Sequence, residues 1–278
     1  MRCLEAALAG ALAAALIAGG NAFAAAEDVR NAIAARLQRD LPSMAPADYA
    51  LGAAAFDPEL RASREENACA AASSGVLEAG RKIWNRKFRN GRTVASCFPN
   101  GGRRVAGSYP QFDPRLKRVV TLETAINQCL KANAQPLLET ADPATMGALT
   151  AYMRSLSEKQ KVAVRVPAAA EERFEEGRRL YFTRMGQQNF ACASCHLQGA
   201  GKRYAELPLS PAIGQATQGT VIRDGQAITL QARIRECLER MGVAPFPAGS
   251  DELNNIEYFL TYLSNGLPLT PNPWRAAR

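Results

Sequence analysis

The chain has 278 residues, 47% of them hydrophobic, and a formal net charge of +8. Its length exceeds one typical domain and suits two domains of about 100–150 residues each. We interpret the basic excess as dispersed, without a Lys/Arg block that carries interleaved aromatic residues, and this argues against nucleic acid as a partner.

The first 24 residues have the pattern of a secretory signal peptide. Arg2 supplies a positive start, residues 8–20 an apolar stretch, and Ala22-Phe23-Ala24 a small-x-small cleavage site. No later stretch approaches the roughly 20 apolar residues that a membrane-spanning helix needs. The sequence therefore predicts cleavage after Ala24, loss of Cys3 with the signal, and a mature protein outside the cytoplasm with no membrane span.

Apolar spacing predicts the elements of the first half. A helix over 26–41 is closed by Pro42 and Pro46, and a loop-rich stretch then runs through the charged residues 61–66. Further helices are predicted over 77–88, 121–133 and 144–156. Residues 159–167 are charged and then bounded by proline, which favours a linker. We therefore expect an N-terminal domain with its extension over 25–160 and a C-terminal domain over 161–278.

The second half contains a C-x-x-C-H motif at Cys192-Ala193-Ser194-Cys195-His196, which includes the only histidine of the chain. Two thiols at this spacing followed by an imidazole are typical of c-type haem: the thiols add to the haem vinyl groups and the histidine binds the iron. A zinc site lacks a second Cys/His pair, and a redox dithiol lacks a βαβ context. The motif predicts covalent haem c with His196 as the proximal ligand.

Motifs of the second half repeat those of the first in the same order, which indicates two tandem copies of one small helical unit. Each copy opens a helix with a Glu-x-Gly-Arg frame and continues through an Ala-Ser-Cys segment to a helix with Cys-Leu. The matched positions are Glu78 to Arg81 with Glu175 to Arg178, Val94 to Phe98 with Cys192 to His196, Thr121-Leu122 with Thr229-Leu230, Ile126 with Ile234, Cys129-Leu130 with Cys237-Leu238, Leu149 with Ile256, and Leu156-Ser157 with Leu263-Ser264. The predicted fold is all-α, with two cytochrome-c-like domains.

The first copy has Val94 and Phe98 where a haem site needs Cys and His, so we expect one haem per chain. Cys97 stands at the second attachment position and Cys129 at the position of Cys237. Without haem between them the two thiols can approach, and in an oxidising compartment they can form a disulfide. Pairing of either one with Cys69 stays open, because connectivity cannot be read from sequence alone.

Two side chains are candidates for the distal haem ligand: Cys237 and Met241, four residues apart and therefore on one helix face. Methionine is the usual ligand of electron-carrier cytochromes. The repeat favours Cys237, since position 133, the counterpart of Met241, is Asn. Cationic neighbours favour a thiolate, and they can also hold an anion. These neighbours are Arg233, Arg235 and Arg240.

A wider set of motifs is spread over most of residues 77–268. They are Ser96 to Gly102, Tyr109-Pro110, Phe112-Asp113, Val119 to Cys129, Cys192 to His196, Gly199 to Tyr204, Leu209 to Ala216, Pro245-Phe246 and Glu257 to Leu267. In these motifs the chain resembles the SoxA subunit of the SoxAX cytochrome complex of periplasmic sulfur oxidation. Some members carry haem in both domains, and this chain departs from them at Val94 and Phe98.

The resemblance implies an L-cysteine S-thiosulfotransferase that joins thiosulfate to a cysteine of the carrier protein SoxYZ and passes two electrons to a c-type cytochrome. It implies that Cys192 and Cys195 hold the haem, that Cys237 is both the distal ligand and the catalytic sulfur, and that Arg233 is the nearby arginine. It also implies a SoxX-like cytochrome as a heterodimer partner and a periplasmic location. The alternative is a plain electron carrier with His196/Met241 ligation.

Overall fold

The computed structural model describes residues 25–69, 75–204, 206–270 and 272–273, so the predicted signal peptide lies outside it. Within these ranges the protein is mainly helical, with three short two-stranded antiparallel hairpins, and the predicted all-α class is confirmed. None of the described helices is both long and apolar enough to cross a membrane.

The N-terminal segment forms helix α1 over residues 25–40, a 3-10 stretch over Pro46–Ala55 and helix α2 over Pro58–Glu66. The prediction of a loop through residues 61–66 is therefore wrong. Helix α2 begins at a strong start signal, because the Asp57 side chain accepts hydrogen bonds from the backbone N–H groups of Glu59 and Leu60 and proline occupies the first helical position.

The two repeated units have the same element order. The helices of the first unit are α3 (Val76–Asn85), α4 (Leu122–Ala132) and α5 (Ala148–Ser155), and a π-helix over Pro143–Gly147 precedes α5. Its strands are β1 (Gln111–Asp113) and β2 (Arg118–Val120), and its 3-10 turns are Val94–Cys97, Pro99–Gly102 and Ala106–Ser108. In the second unit the helices are α6 (Glu171–Phe182), α7 (Leu230–Arg240) and α8 (Asp251–Leu263), with 3-10 turns Ala168–Ala170 and Gln215–Thr217, a π-helix Ser194–Gln198, and strands β3 (Arg203–Tyr204), β4 (Leu207–Pro208), β5 (Val221–Arg223) and β6 (Gln226–Ile228). Threonines 121 and 229 cap α4 and α7 at equivalent places.

In each unit the first and last helices cross at the glycine of the repeated Glu-x-Gly-Arg frame. A Cβ atom on Gly80 would lie 2.1 Å from the Ala148 carbonyl oxygen, and one on Gly177 would lie 2.0 Å from that of Asn255. Only glycine permits this approach of the two backbones. The repeat of this frame in the sequence therefore marks a packing requirement of the scaffold.

The two units pack by exchanging hairpins. Strand β2 contacts helix α8 of the second unit, where Asn254 Nδ2 donates to the Val119 carbonyl oxygen at 3.4 Å. Strand β6 contacts the π-helix of the first unit, where a Cβ on Gly147 would lie 2.1 Å from the Ala227 carbonyl oxygen. These contacts are equivalent in the repeat. Most buried apolar residues of both units form one core, and a second small cluster lies at the β6 contact: Val76, Ala148, Ala151, Ile222 and Ala227.

The predicted linker is an extended segment between the units in which the valines are buried and the residues between them are exposed. Val162, Val164 and Val166 are each at most 3% exposed, and the backbone N–H of Val162 donates to the Leu267 carbonyl oxygen at 2.9 Å. The N-terminal segment packs on the second unit: Arg30 donates to the Asn265 carbonyl oxygen and Gln218 to that of Ala50, each at 2.8 Å. The extension thus supports the unit that contains the C-x-x-C-H motif.

Candidate haem-binding and catalytic site

An open cleft in the second unit contains most of the predicted site residues. Its empty volume is about 970 Å³ including the mouth, and helices α6, α7 and α8 form its walls. Apolar side chains together with a few polar and charged groups line it, which is the usual composition of a ligand or cofactor site. Among its lining residues are Tyr181, Cys192, His196, Gln215, Arg223, Arg233, Glu236, Cys237, Arg240 and Met241.

The two cysteines of the motif stand where the chain enters the π-helix. Cys192 lines the cleft, whereas Cys195 is not among its lining residues. Both are partly exposed. Burial, with a smaller effect from the nearby Cys237 sulfur, raises the pKa of the Cys192 thiol to about 12, and burial also raises the pKa of Cys195. Both are therefore neutral thiols at physiological pH before any attachment to a cofactor.

His196 is oriented by its Nδ1 atom, which lies 2.8 Å from the Ser210 carbonyl oxygen. Gln215 Nε2, an amide donor, lies 2.6 Å from the same nitrogen and can donate only to an unprotonated Nδ1, so these two contacts belong to different tautomers of the ring. A ring that donates its Nδ1 proton to a backbone carbonyl has the tautomer in which Nε2 is the metal-binding atom, and such a partner is usual for metal-ligating histidines.

Cys237 and Met241 lie one turn apart at the C-terminal end of α7, and both line the cleft. The Met241 N–H donates to the Cys237 carbonyl oxygen at 3.1 Å. Met241 is 5% exposed, whereas Cys237 is half-buried. The structure brings both predicted candidates for the distal ligand to the same cleft as His196.

Arg233 also lines the cleft, and its guanidinium donates to the Gly219 carbonyl oxygen at 2.8 Å. Close to it Arg223 of strand β5 forms a two-pronged ion pair with Glu236, and Arg240 lies 3.6 Å from the same carboxylate. Despite burial, which acts in the opposite direction, hydrogen bonding from Arg223 lowers the pKa of Glu236. The cleft therefore contains three guanidinium groups and one ionised carboxylate, which favours an anion.

Arg223, Gln215 and Tyr181 are site residues that sequence reasoning missed. Gln215 and Tyr181 lie in segments with motifs but have no spacing that signals cofactor chemistry, and Arg223 lies in a hairpin without a motif. Lys202 and Arg203 are basic loop residues after the motif, and they are not among the lining residues. Arg203 instead pairs with Asp57 of the N-terminal segment at 3.2 Å. Arg235, on the other side of α7, is not among the cleft residues either.

The residues of the cleft fit haem c. Two neutral thiols, an imidazole with its Nδ1 held by a carbonyl, and the further sulfur of Cys237 on α7 are the donor set that a c-type haem requires. Among the described residues the Tyr181 hydroxyl also has no hydrogen-bond partner, although this side chain is 1% exposed and lines the cleft. A group bound in the cleft or an ordered water can supply the partner that this hydroxyl lacks.

The corresponding place in the first unit is filled by protein. A disulfide joins Cys97 and Cys129, with their Cα atoms 5.8 Å apart. Phe98, which replaces the histidine, is 7% exposed and packs on the rings of Trp84 and Tyr109 at centroid distances of 6.1 and 6.4 Å. Cys69 is exposed and lies outside this disulfide.

The fold and the site define a c-type cytochrome built from two repeated units, with haem c as its cofactor. A family profile described as SoxA/TsdA, cytochrome c domain, matches residues 79–162 and 176–269. The chain belongs to this family, and the resemblance found in the sequence motifs is confirmed.

Known relatives agree with this assignment. The chain is 37% identical to the L-cysteine S-thiosulfotransferase subunit SoxA of Chlorobaculum tepidum, over 83% of this chain and 81% of the relative. It is 34% identical to the protein of the same name from Allochromatium vinosum, over 87% and 88% of the two chains. Among solved structures it is similar to SoxXA from P. pantotrophus, with a TM-score of 0.66 and 25% identity over 72% of this chain and 77% of that one.

Proposed function

We propose that this chain is the cytochrome subunit of a thiosulfate-oxidising complex and acts as an L-cysteine S-thiosulfotransferase. The observation that carries the proposal is the meeting of Cys237 and Arg233 with Cys192 and His196 of the C-x-x-C-H motif in a single open cleft. We further propose that the mature chain begins after Ala24, is periplasmic, and divides into domains over 25–160 and 161–278. Its partners would be a SoxX-like small cytochrome in a heterodimer, the carrier SoxYZ, and thiosulfate.

Cys192 and Cys195 would hold one covalent haem c, with His196 as the proximal and Cys237 as the distal iron ligand. When bound, haem c supplies a one-electron acceptor beside the reacting sulfur atoms. The Ser210 carbonyl fixes the His196 ring, and the crossing of α6 and α8 at Gly177 fixes the helices that form the cleft. The protein thus presents a preorganised sulfur and a preorganised guanidinium to substrates that enter from the mouth.

The overall reaction joins the thiol of a carrier cysteine to the outer sulfur of thiosulfate, and it releases one proton and two electrons. Cys237 is the sulfur that exchanges with the substrate sulfur, since thiolates and persulfides attack and are attacked by other sulfur atoms. The planar guanidinium of Arg233 matches the oxygens of a sulfonate group and holds thiosulfate by its charged end. Arg223 and Arg240 share Glu236, so their charges are partly balanced.

Coupled turnover with thiosulfate and carrier protein tests this proposal. We expect Cys237→Ala to abolish turnover and Arg233→Ala to lower it by about 100-fold, the scale of about 3 kcal/mol for one charged hydrogen-bonding group at a reacting anion. Matched controls are Cys69→Ala, an exposed thiol outside the cleft, and Arg235→Ala, on the same helix as Arg233. Turnover that survives Cys237→Ala would reject the assignment.

Met241 supports a second candidate function, an electron carrier with His196/Met241 ligation, because this side chain is buried and lines the cleft. The oxidised optical spectrum separates the two. Thiolate ligation predicts no methionine-to-iron charge-transfer band in the far red, in the wild type or in Met241→Leu. A band that disappears in Met241→Leu would favour the electron carrier.

A further inference from the structure

A buried cluster of charged and amide side chains lies where the two units meet, behind the wall of the cleft. The first unit contributes Glu123 of α4 and Arg154 of α5, and the second contributes Gln231 of α7 and Glu257 of α8. Their exposed fractions are 2%, 6%, 1% and 2%. Charged side chains are almost never so fully buried without a specific arrangement of partners.

The repeat relates these positions in pairs. Glu123 and Gln231 follow the equivalent Thr121-Leu122 and Thr229-Leu230, and Glu257 is the counterpart of Thr150. Each pair therefore has one ionisable and one neutral member. The cluster is asymmetric although the scaffold around it is repeated, and its acidic members come from different units.

Hydrogen bonds fix one carboxyl of the cluster firmly. Gln231 Nε2 donates to Glu257 Oε2 at 3.1 Å and to Asn254 Oδ1 at 2.9 Å, while its Oε1 accepts from the backbone N–H of Gly249 at 2.8 Å. In contrast, Glu123 Oε2 and Arg154 Nε are buried without a hydrogen-bond partner in the described part of the chain. The hydrogen-bonding capacity of the cluster is thus only partly used, and a buried polar group without a partner lowers the stability of the folded protein.

The cluster reaches the cleft through Gly219. Its carbonyl oxygen accepts the hydrogen bond from Arg233, and the Arg154 guanidinium lies against its Cα, since a Cβ there would fall 2.3 Å from Arg154 Cζ. Two guanidinium groups therefore pack around one peptide unit. The Arg233 charge lowers the pKa of the Glu257 carboxyl, with a smaller effect than Arg154 and Gln231.

Burial raises the pKa of Glu257 to about 8, and the neighbouring charge of Glu123 adds to this effect. Arg154, Gln231 and Arg233 act in the opposite direction and lower the pKa. Strand β2 presents one charged group to α8, Arg118, which pairs at 2.9 Å with Asp251 in the first turn of that helix. Helix α6 faces α8 through the aromatic rings of Phe174 and Tyr181. Glu257 is therefore mainly protonated at neutral pH.

We propose that Glu257 is a positioning residue for Arg233, which acts as the anion-binding group of the cleft only while Glu257 is neutral. A protonated Glu257 leaves the Arg233 charge to the anionic substrate, whereas an ionised one competes with that substrate for the guanidinium. Glu123 and Arg154 of the haem-free unit determine how much of Glu257 is protonated, because their charges shift its pKa in opposite directions. The inference rests on the proposed function, in which Arg233 binds thiosulfate.

The first test measures the proton itself and needs no turnover. The folded state binds the Glu257 proton up to about pH 8, whereas the unfolded chain releases it near the ordinary value of 4.5. Stability must therefore fall as pH rises between these values, and Glu257→Gln must lack this fall. We expect the unfolding constant of the wild type to rise by about tenfold per pH unit relative to Glu257→Gln between pH 5 and pH 7.5. Glu252→Gln, the same change in the first turn of α8, is the control and should parallel the wild type.

The second test follows the KM for thiosulfate of the haem-loaded protein from pH 6.5 to pH 9. The wild type and Glu252→Gln should show a KM that rises by about fourfold at pH 8.5 and about tenfold at pH 9, because each pH unit above the pKa lowers the neutral fraction tenfold. In Glu257→Gln the KM should stay flat with kcat little changed. Glu123→Gln removes the repelling charge, so its KM should begin to rise at a lower pH than in the wild type.

The outcomes separate this inference from the proposed function. Parallel stability curves for the wild type and Glu257→Gln, or a KM rise that persists in Glu257→Gln, would overturn the role of Glu257. Absence of turnover in every variant while the stability curves diverge would reject the thiosulfotransferase and leave Arg233 without a substrate to bind, which overturns the inference as well. If Glu257→Gln does not fold, Glu123→Gln provides the test. A KM that begins to rise at a lower pH than in the wild type supports the role of Glu257, and a KM rise at the same or a higher pH overturns it.

Discussion

The two units of the chain share a scaffold but differ in what lies between its conserved elements. In both, the first and last helices cross at a glycine and a threonine caps the cysteine-bearing helix. In the first unit a disulfide and the ring of Phe98 fill the space, and in the second that space is a cleft lined by His196 and Cys237. The fold therefore depends on helix crossing and capping, whereas the cofactor depends on a few side chains that the scaffold can lose.

The units also differ in charge. Residues 76–160 contain 14 basic and 6 acidic residues, whereas residues 161–278 contain 14 and 11, so the haem-free unit carries most of the basic excess. The interpretation of this excess as dispersed is wrong. Residues 81–92 form a basic run with two interleaved aromatic residues, Trp84 and Phe88, but both rings are buried in the core and are not available to a partner.

The largest expected difference between the units is in haem content. Mass spectrometry of the mature protein should show a single haem addition, and Cys192→Ser with Cys195→Ser should remove it completely, because only these thiols stand in a C-x-x-C-H motif. The control is Cys97→Ser with Cys129→Ser, which should retain one haem. Two additions on the wild-type chain would contradict the assignment of the first unit.

The disulfide should account for the next largest effect. It closes a separation of 32 residues, so Cys97→Ser with Cys129→Ser should lower the free energy of unfolding by about 3–4 kcal/mol. Denaturant unfolding of the oxidised wild type and the double variant measures this, and the haem spectrum should not change. A loss of stability accompanied by loss of haem would show that the first unit supports the cleft directly.

The helix crossings should be equivalent in stability but not in function. A Cβ at either Gly80 or Gly177 meets a backbone carbonyl, which cannot rotate away, so each change to Ala should cost about 2–3 kcal/mol. Only Gly177→Ala should also perturb the haem spectrum, since α6 and α8 form the cleft. Gly225→Ala is the control: its Cβ would meet nothing within 4 Å, which leaves only a left-handed backbone cost of about 1 kcal/mol.

What the sequence could predict is chemistry that is local along the chain. The C-x-x-C-H spacing and the four-residue step from Cys237 to Met241 each lie within one short segment, and Cys192, His196, Cys237 and Met241 all line the cleft. The start of α2 is also encoded locally by Asp57 and Pro58, but the charged residues that follow lack the apolar spacing that predicts a helix. A charged stretch is compatible with a solvent-exposed helix.

The remaining features depend on contacts between distant residues. Glu257 and Glu123 resemble ordinary surface carboxylates of amphipathic helices, and only the packing of one unit on the other buries them. The same holds for Arg223, which reaches the cleft from a hairpin, and for the N-terminal segment. There, Gly214 passes so close to Tyr49 that a Cβ would lie 2.4 Å from its carbonyl oxygen. No periodicity within one segment encodes such pairs.

The smallest expected effect concerns encounter with the carrier. Long-range attraction acts through net charge, so the basic first unit should contribute more to it than the second, although the chemistry lies in the second. The association rate should fall as salt rises beyond about 0.1 M, where the screening length is about 10 Å. Arg86→Glu with Arg89→Glu, both exposed, should lower the rate by about threefold at low salt and leave turnover at saturating carrier unchanged.

Lys161→Glu with Arg165→Glu makes the same charge change on exposed residues at the start of the second unit, and a smaller effect is expected there because fewer basic side chains surround it. Equal effects of the two pairs would mean that the carrier responds to total charge alone, and the first unit would then have no special part in the encounter.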